Sequence, residues 1–214
     1  MNNEAQTVTA KSNAAYFVFK RCFDVVFSLI ALIALALPLL IVALIILIDS
    51  PGESPVYVQQ RVGKNGKTFS FYKFRSMIPG AEEMLDSLLD RNEMNGPAFK
   101  MKDDPRITRF GRFMRMTSID ELPQLWNVLK GDMSLVGPRP PLPREVELYT
   151  EHQMKRLSVV PGITCFWQVQ PKRNSLSFDQ WLSLDLKYIE EQSVKTDFVI
   201  LFKTIGAVCG MEGE

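Results

Sequence analysis

Residues 25–48 read VVFSLIALIALALPLLIVALIILI, and what this run does turns on the proline at position 38. Ser28 and Pro38 are its exceptions to apolar character, and Asp24 and Asp49 mark its ends. A run this long can cross a bilayer core of roughly 30 Å. Pro38 points elsewhere. It lacks the amide that would bond the Ala34 carbonyl, and its ring clashes with that carbonyl, so a helix through the run is expected to bend. At about 1.5 Å per residue, the arm from Cys22 to Leu37 reaches about 24 Å and the arm from Leu39 to Ile48 about 15 Å, each short of the core thickness. Basic residues flank both ends, with Lys11, Lys20 and Arg21 before the run and Arg61, Lys64 and Lys67 after it. That balance places both ends on one side. A re-entrant helix, break, helix hairpin dipping into one leaflet is the expected geometry, and a kinked transmembrane helix is the alternative. The run is too long for a secretory signal and no small-residue cleavage site follows it.

The remaining sequence is long enough for one sizeable domain: the chain has 214 residues, 46% of them hydrophobic. The organisation expected is an N-terminal tail over 1–19, the membrane hairpin over 20–50 and a cytoplasmic domain over 51–214. The fold class is α+β and mostly helical, with a small β-hairpin and amphipathic helices at the membrane surface. The hairpin is placed at Val56 to Val62 and Thr68 to Phe74, around Asn65-Gly66, a strong turn signal. Its second strand puts Lys73 and Arg75 on one face and Phe74 on the other. Ala81 to Met94 reads as an amphipathic helix with Met84, Leu85, Leu88 and Leu89 as its apolar stripe. Phe178 to Glu191 and Thr196 to Val208 are further helices. Cys22, Cys165 and Cys209 show no ligand spacing and read as reduced, buried thiols. The single histidine, His152, lies in a polar stretch, which disfavours Ser-His-Asp, Cys-His and multi-histidine metal chemistry.

The chemistry concentrates at Thr117-Ser118-Ile119-Asp120-Glu121-Leu122-Pro123-Gln124. Pro123 fits only a first helical turn. The adjacent carboxylates Asp120 and Glu121 therefore sit at a positive helix end, with Leu122, Leu125, Trp126 and Leu129 following as a buried stripe. Ser118 and Glu121 also match a capping box, so a structural role and a catalytic one both stand on position alone. Upstream, Arg106, Arg109, Arg112 and Arg115 recur every third residue, a row that repels itself unless a multiply charged anion lies against it. Lys73 and Arg75 are either solvated edge charges or further contacts to such a ligand. Arg139 stands between Pro138 and Pro140, a stiff support for a guanidinium. The net charge is +1, and no nucleic-acid-binding motif stands out, so the anion is read as a small phosphorylated ligand and not a nucleic acid.

These residues occur in a set of blocks that resembles the bacterial sugar transferases, the monotopic polyprenyl-phosphate phosphoglycosyl transferases in their small form. The blocks are Lys20-Arg21 with Asp24, Gln60-Arg61-Val62-Gly63, Lys73 to Met77, Asp104-Pro105-Arg106-Ile107-Thr108, Ser118 to Gln124, Asn127-Val128, Gly131 to Pro140 and Pro161-Gly162-Ile163-Thr164, covering nearly everything from Lys20 to Val208. The resemblance implies transfer of a sugar phosphate from a UDP-sugar to polyprenyl (undecaprenyl) phosphate, early in a bacterial glycoconjugate pathway. It implies Asp120 as nucleophile and contact to Mg²⁺, Glu121 as its partner, and Arg115 and Arg139 facing phosphate or nucleotide. Lys73, Arg75 and Arg106 are carried as further substrate contacts. It also implies a re-entrant hairpin at the cytoplasmic face of the inner membrane, and leaves a homodimer open. Cys165, Gln170-Pro171-Lys172-Arg173 and Ser54-Pro55 depart from the usual pattern; none touches the acidic pair. A protein of another class, an anchor that binds nucleotides or anionic lipid without chemistry, would share the basic residues but release no UMP.

Overall fold

The computed structural model describes residues 14–171 and 173–210; Lys11 of the N-terminal tail and Lys172 lie outside the described residues, as does the side chain of Cys209. The apolar run forms two helices, α1 (Ala14–Ala34) and α2 (Ala36–Asp49), bent by 63°. The bend falls at Leu35 and not at Pro38 itself. Pro38 lies in the first turn of α2, where a missing amide costs nothing, and the carbonyl it would have clashed with, that of Ala34, ends α1. The Leu39 amide resumes the ladder at once, bonding the Leu35 carbonyl at 2.8 Å. Among the described residues, no single helix is long and apolar enough to cross a membrane. α1 also starts earlier than the tail boundary at residue 19 suggests.

One face of α1 is polar and buried. Tyr16 and Lys20 both reach Asp197 Oδ2, at 2.9 and 2.8 Å, while Tyr188 donates to Asp197 Oδ1 at 2.8 Å. Lys20 also bonds the Val136 carbonyl at 2.9 Å, and Asp24 accepts from the Leu135 amide at 3.0 Å. Arg21, next to Lys20 in the chain, gives its two terminal nitrogens to the Val128 and Leu129 carbonyls, at 2.6 and 2.7 Å. Those carbonyls lie in the last turn of the helix over 124–130, and that of Val128 also accepts from the capping Gly131 amide. The opposite face leaves Val18, Val26, Ile30 and Ile33 exposed. Cys22 is exposed on that face as well, against the expectation of a buried thiol, whereas Cys165 is buried.

Strands β1 (Val56–Val62) and β2 (Thr68–Phe74) form the expected antiparallel hairpin, in the register Val56↔Phe74 to Val62↔Thr68. Asn65 and Gly66 take the left-handed φ values of 57° and 79° that the turn requires. Over residues 81–94 no α-helix forms. The segment runs as successive i to i−3 turns, with a 3₁₀ stretch over Asp86–Arg91. The Ala81 carbonyl, which an α-helix would offer to the Leu85 amide, accepts from Arg106 Nη1 instead, and the Leu85 amide bonds Glu82. Leu85 and Leu88 are buried, but Leu89 faces outward.

Helix α3 (Arg109–Met116) is capped by Thr108, whose hydroxyl accepts from the Gly111 amide at 2.9 Å. Gly111 is obligatory there because a Cβ would overlap the Ser76 carbonyl. Helix α4 (Gln124–Lys130) lies against β2 through Asn127, which accepts from the Tyr72 amide and donates to the Ser70 carbonyl. Strand β3 (Ser134–Val136), the short helices α5 (Pro143–Val146) and α6 (Glu151–Met154), and β4 (Gly162–Thr164) follow; β3 and β4 pair in parallel. Helices α7 (Phe178–Glu191) and α8 (Val194–Cys209) close the chain, both capped by serine, at Ser177 and Ser193. The core of Phe71, Leu125, Val128, Met133, Leu135, Val136, Tyr188 and Ile200 joins the hairpin, α4, β3, α7 and α8. α8 leaves Phe202 and Ile205 exposed. The fold is thus α+β and mostly helical, with a bent N-terminal helix pair.

Removing Asp197 would take away the anion that two tyrosine hydroxyls and an ammonium share, although Lys20 and Tyr188 keep the Val136 carbonyl. Breaking a buried charged network from one side costs about 3 kcal/mol. Asp197→Ala is expected to lower the Tm of the detergent-solubilised protein by roughly 6–12 °C, read by thermal unfolding.

Candidate active site

The acidic pair lies in a short 3₁₀ turn, Ile119–Glu121, between α3 and α4. Ser118 immediately before it has φ 57°, a left-handed conformation that costs a non-glycine residue energy and tends to occur at functional sites. A capping residue needs extended backbone, so Ser118 cannot serve as one, and the capping box expected from Ser118 and Glu121 does not form. Glu121 turns instead to Arg139, with 2.7 Å between Oε1 and Nη1. Arg139 is held as its prolines suggest. Arg61 Nη1 bonds the neighbouring Pro140 carbonyl at 3.0 Å, the Val62 amide bonds that of Pro141 at 2.9 Å, and Arg156 reaches the carbonyl of Arg139 itself. Arg156 is in turn fixed by Asp185 at 2.5 Å, a buried pair.

Asp120 is only 8% exposed. Among the described residues, no hydrogen bond reaches its carboxylate. Burial, then the adjacent Glu121, push its pKa up to about 6, while Arg115, Lys73 and Arg139 pull the other way. Lys73 is half-buried nearby, and burial drives its ammonium down to about 7, helped by Arg115 and Arg61 and opposed by Asp120. Arg115 is aimed by Ser76, whose hydroxyl accepts from its Nε at 3.0 Å, so the close approach at Gly111 sets the position of this guanidinium. Burial, and then Arg139, lower Arg61 to about 10. Four basic groups, Arg61, Lys73, Arg115 and Arg139, thus face two carboxylates, which leaves the half-buried place with net positive charge. Such a cluster favours an anion carrying several charges.

The structure separates the other candidates from this group. Arg106 is 5% exposed and grips Asp104 through Nε and Nη2, at 2.9 and 2.6 Å, with its face over Phe99. Its cation is spent holding the loop before α3. Arg75 pairs with Glu53 at 2.8 Å and bonds the Ser54 carbonyl at 2.9 Å, at the base of the hairpin. Arg109 and Arg112 are exposed. The row of four arginines is therefore no single stripe, because α3 begins only at Arg109 and leaves Arg106 in the preceding loop. Trp126, expected in the buried stripe of α4, is 54% exposed; Gln124, Leu125, Asn127 and Val128 are buried instead. Arg61 was not singled out as a site residue. Its signal lay in the strand alternation, since Arg61, paired with Phe69, and Lys73, paired with Tyr57, share one face of the hairpin.

A buried carboxylate among basic side chains thus lies between α3 and α4, in a domain tied to an apolar helix pair. The chain belongs to the bacterial sugar transferase family, whose model matches residues 15–211. It is 45% identical over 194 residues to the galactosyl transferase CpsE of Streptococcus agalactiae serotype III, covering 91% of this chain and 43% of that protein. It is likewise 45% identical over 198 residues to the undecaprenyl-phosphate galactose phosphotransferase of Salmonella typhimurium, covering 91% of this chain and 41% of that protein. The chain thus spans about two-fifths of the length of these relatives. With the exopolysaccharide production protein ExoY of Sinorhizobium fredii it shares 40% identity over 201 residues, covering 92% of this chain and 88% of that protein.

An acid whose pKa is raised on folding binds its proton more tightly in the folded state, so stability falls as the pH rises from 3.8 to about 6 and the full cost of the ionised form is present above that. Asp120→Asn is expected to raise the Tm at pH 8 by roughly 2 °C or more, and to give no gain at pH 4, in parallel thermal melts.

Proposed function

We propose that the protein transfers a sugar phosphate from a UDP-sugar to a polyprenyl phosphate, releasing UMP, with Asp120 as the nucleophile. The observation that carries this reading is the Asp120 carboxylate, buried and bracketed by Arg115, Lys73 and Arg139. The relatives named for galactose phosphotransfer and exopolysaccharide production support the substrate class.

In the first displacement an Asp120 oxygen attacks the β-phosphorus of the donor. The new bond joins that oxygen to phosphorus, and the bond from the β-phosphorus to the bridging oxygen breaks, so UMP leaves with the electron pair. In the second, a phosphate oxygen of the lipid attacks the same phosphorus and restores the carboxylate. Repulsion between carboxylate and diphosphate opposes the approach, and the four cations offset it with fixed charge. At pH 7 Asp120 is largely ionised, since its pKa is raised only to about 6. Glu121 holds Arg139 in place for a phosphate oxygen.

The donor set fits Mg²⁺. Among the described residues no group of three or more His, Cys, Asp or Glu side chains could cage a metal. Mg²⁺ needs none, for it takes one or two carboxylates and completes its shell with water and substrate phosphates. Asp120 would hold it, and when bound it would neutralise charge on the diphosphate.

The bent α1–α2 pair lies in one leaflet of the cytoplasmic membrane as a re-entrant hairpin, with both ends on the cytoplasmic side. Two facts support this placement: the apolar outer faces of α1 and α2 are exposed, and neither helix is both long and apolar enough to span alone. Phe202 and Ile205 of α8 rest at the same surface.

Two measurements test the reading. Incubation with UDP-sugar carrying a radioactive β-phosphate is expected to label the wild type covalently and to leave Asp120→Asn unlabelled; a labelled variant would exclude this nucleophile. The kcat/KM for UMP release is expected to fall below pH 6 as Asp120 protonates, and to fall again above pH 7 as Lys73 loses its charge. Lys73→Arg should keep the acidic limb and shift the alkaline limb upward by more than one pH unit, because a guanidinium stays charged.

A further inference from the structure

Two buried polar groups stand one helical turn apart, and each lacks the kind of partner that the other is. Asp120 is 8% exposed, and among the described residues no hydrogen bond reaches its carboxylate. Gln124 is 1% exposed, and its amide nitrogen Nε2, which carries two donor hydrogens, finds no acceptor among the described residues. We propose that Gln124 is a positioning residue for the nucleophile: its amide donates to one Asp120 oxygen and leaves the other oxygen to attack phosphorus. This rests on the transferase reading above.

The backbone brings the two side chains to one place. Leu122 and Pro123 have helical φ and ψ, −58° and −33°, then −60° and −18°, so the turn Ile119–Glu121 runs into α4 without a break. Bonds from the Leu122 amide to the Ile119 carbonyl and from the Leu125 amide to the Leu122 carbonyl keep this stretch tightly wound. Gln124 therefore stands over the turn that carries Asp120 and Glu121, four and three residues earlier, where neighbouring Cβ atoms are about 5–6 Å apart. Helical side chains lean towards the helix N-terminus, which directs the carboxamide back over the acidic pair. Glu121 Oε1 is committed to Arg139 at 2.7 Å, so Asp120 is the carboxylate that needs a donor. The next turn of the same face is fixed to the hairpin, where Asn127 accepts from the Tyr72 amide and donates to the Ser70 carbonyl. A helix tied there cannot turn Gln124 out to water. The bond to Asp120 is open in this structure, and torsion about the two methylenes of Gln124 closes it.

A carboxylate held only by surrounding charge can rotate, whereas a donor on one oxygen fixes its plane. After attack that oxygen is the carbonyl of the acyl phosphate and accepts the same bond. When the lipid phosphate displaces the carboxylate, the donor is already in place for the returning charge.

The test uses the full chain in nanodiscs. Gln124→Met nearly keeps the volume and removes the donor, and Gln124→Leu replaces it if the methionine variant fails to fold. With UDP-sugar carrying a radioactive β-phosphate, the single-turnover rate of covalent labelling is expected to fall about tenfold or more while the donor KM stays within about twofold. A labelling rate equal to that of the wild type, or a loss confined to KM, overturns the proposal. A second measurement needs no turnover. At pH 8 Gln124→Met is expected to lower the Tm by about 2 °C or more when Asp120 is present, and to leave it unchanged or raise it in an Asp120→Ala background, where no carboxylate needs the donor. The same Tm change in both backgrounds means that Gln124 acts on the fold alone, which also overturns the proposal. A wild type that releases no UMP from any UDP-sugar sinks the transferase reading, and the melts then still decide whether Gln124 bonds Asp120.

Discussion

Asp197 of α8 is the point on which the placement of the N-terminal helices depends. It accepts from Tyr16 and Lys20 of α1 and from Tyr188 of α7, so three helices meet on one carboxylate. An apolar helix against an apolar domain would have no fixed depth or rotation, because dispersion contacts vary little as one surface slides on another. Directional bonds to a buried anion remove that freedom. Arg21 and Asp24 add two more fixed points, at the C-terminus of α4 and at β3. α4 follows the acidic pair directly, so the same bonds that orient α1 also fix Asp120 relative to the exposed apolar surface.

The site itself combines two unfavourable things that become tolerable together. Adjacent carboxylates in a half-buried turn repel, and four clustered cations repel, but interleaved they lower each other's cost. The remaining excess of positive charge is the part that a diphosphate would complete. The strained Ser118, the close packing at Gly111 and the proline-flanked Arg139 all hold charges where they would not settle by themselves.

Much of this was legible in the residues. The hairpin and its register followed from Asn65-Gly66 and the flanking alternation, and the terminal helices from their periodicity. The acidic pair and Arg139 stood out by composition and by neighbouring prolines. Where the reading failed, a long-range partner had intervened. Arg106 captures both Asp104 and the Ala81 carbonyl, which removes a cation from the site and an α-helix from residues 81–94. Glu121 finds Arg139 eighteen residues away and leaves the capping box unmade. Trp126 shares an apolar surface hollow with Leu32 of α1 and with Leu39 and Leu40 of α2, more than eighty residues earlier in the chain.

The sequence by itself determined the local events: the bend that Pro38 imposes, the turn that Asn65-Gly66 permits, and the helix caps at Thr108, Ser177 and Ser193. Each depends on sterics or hydrogen bonds within a few residues, which the chain carries wherever it folds. Which charges meet was decided only in three dimensions. Lys73, Arg115 and Arg139 come from separate segments, and their pairing with Asp120 or diversion from it rests on distances that packing alone sets.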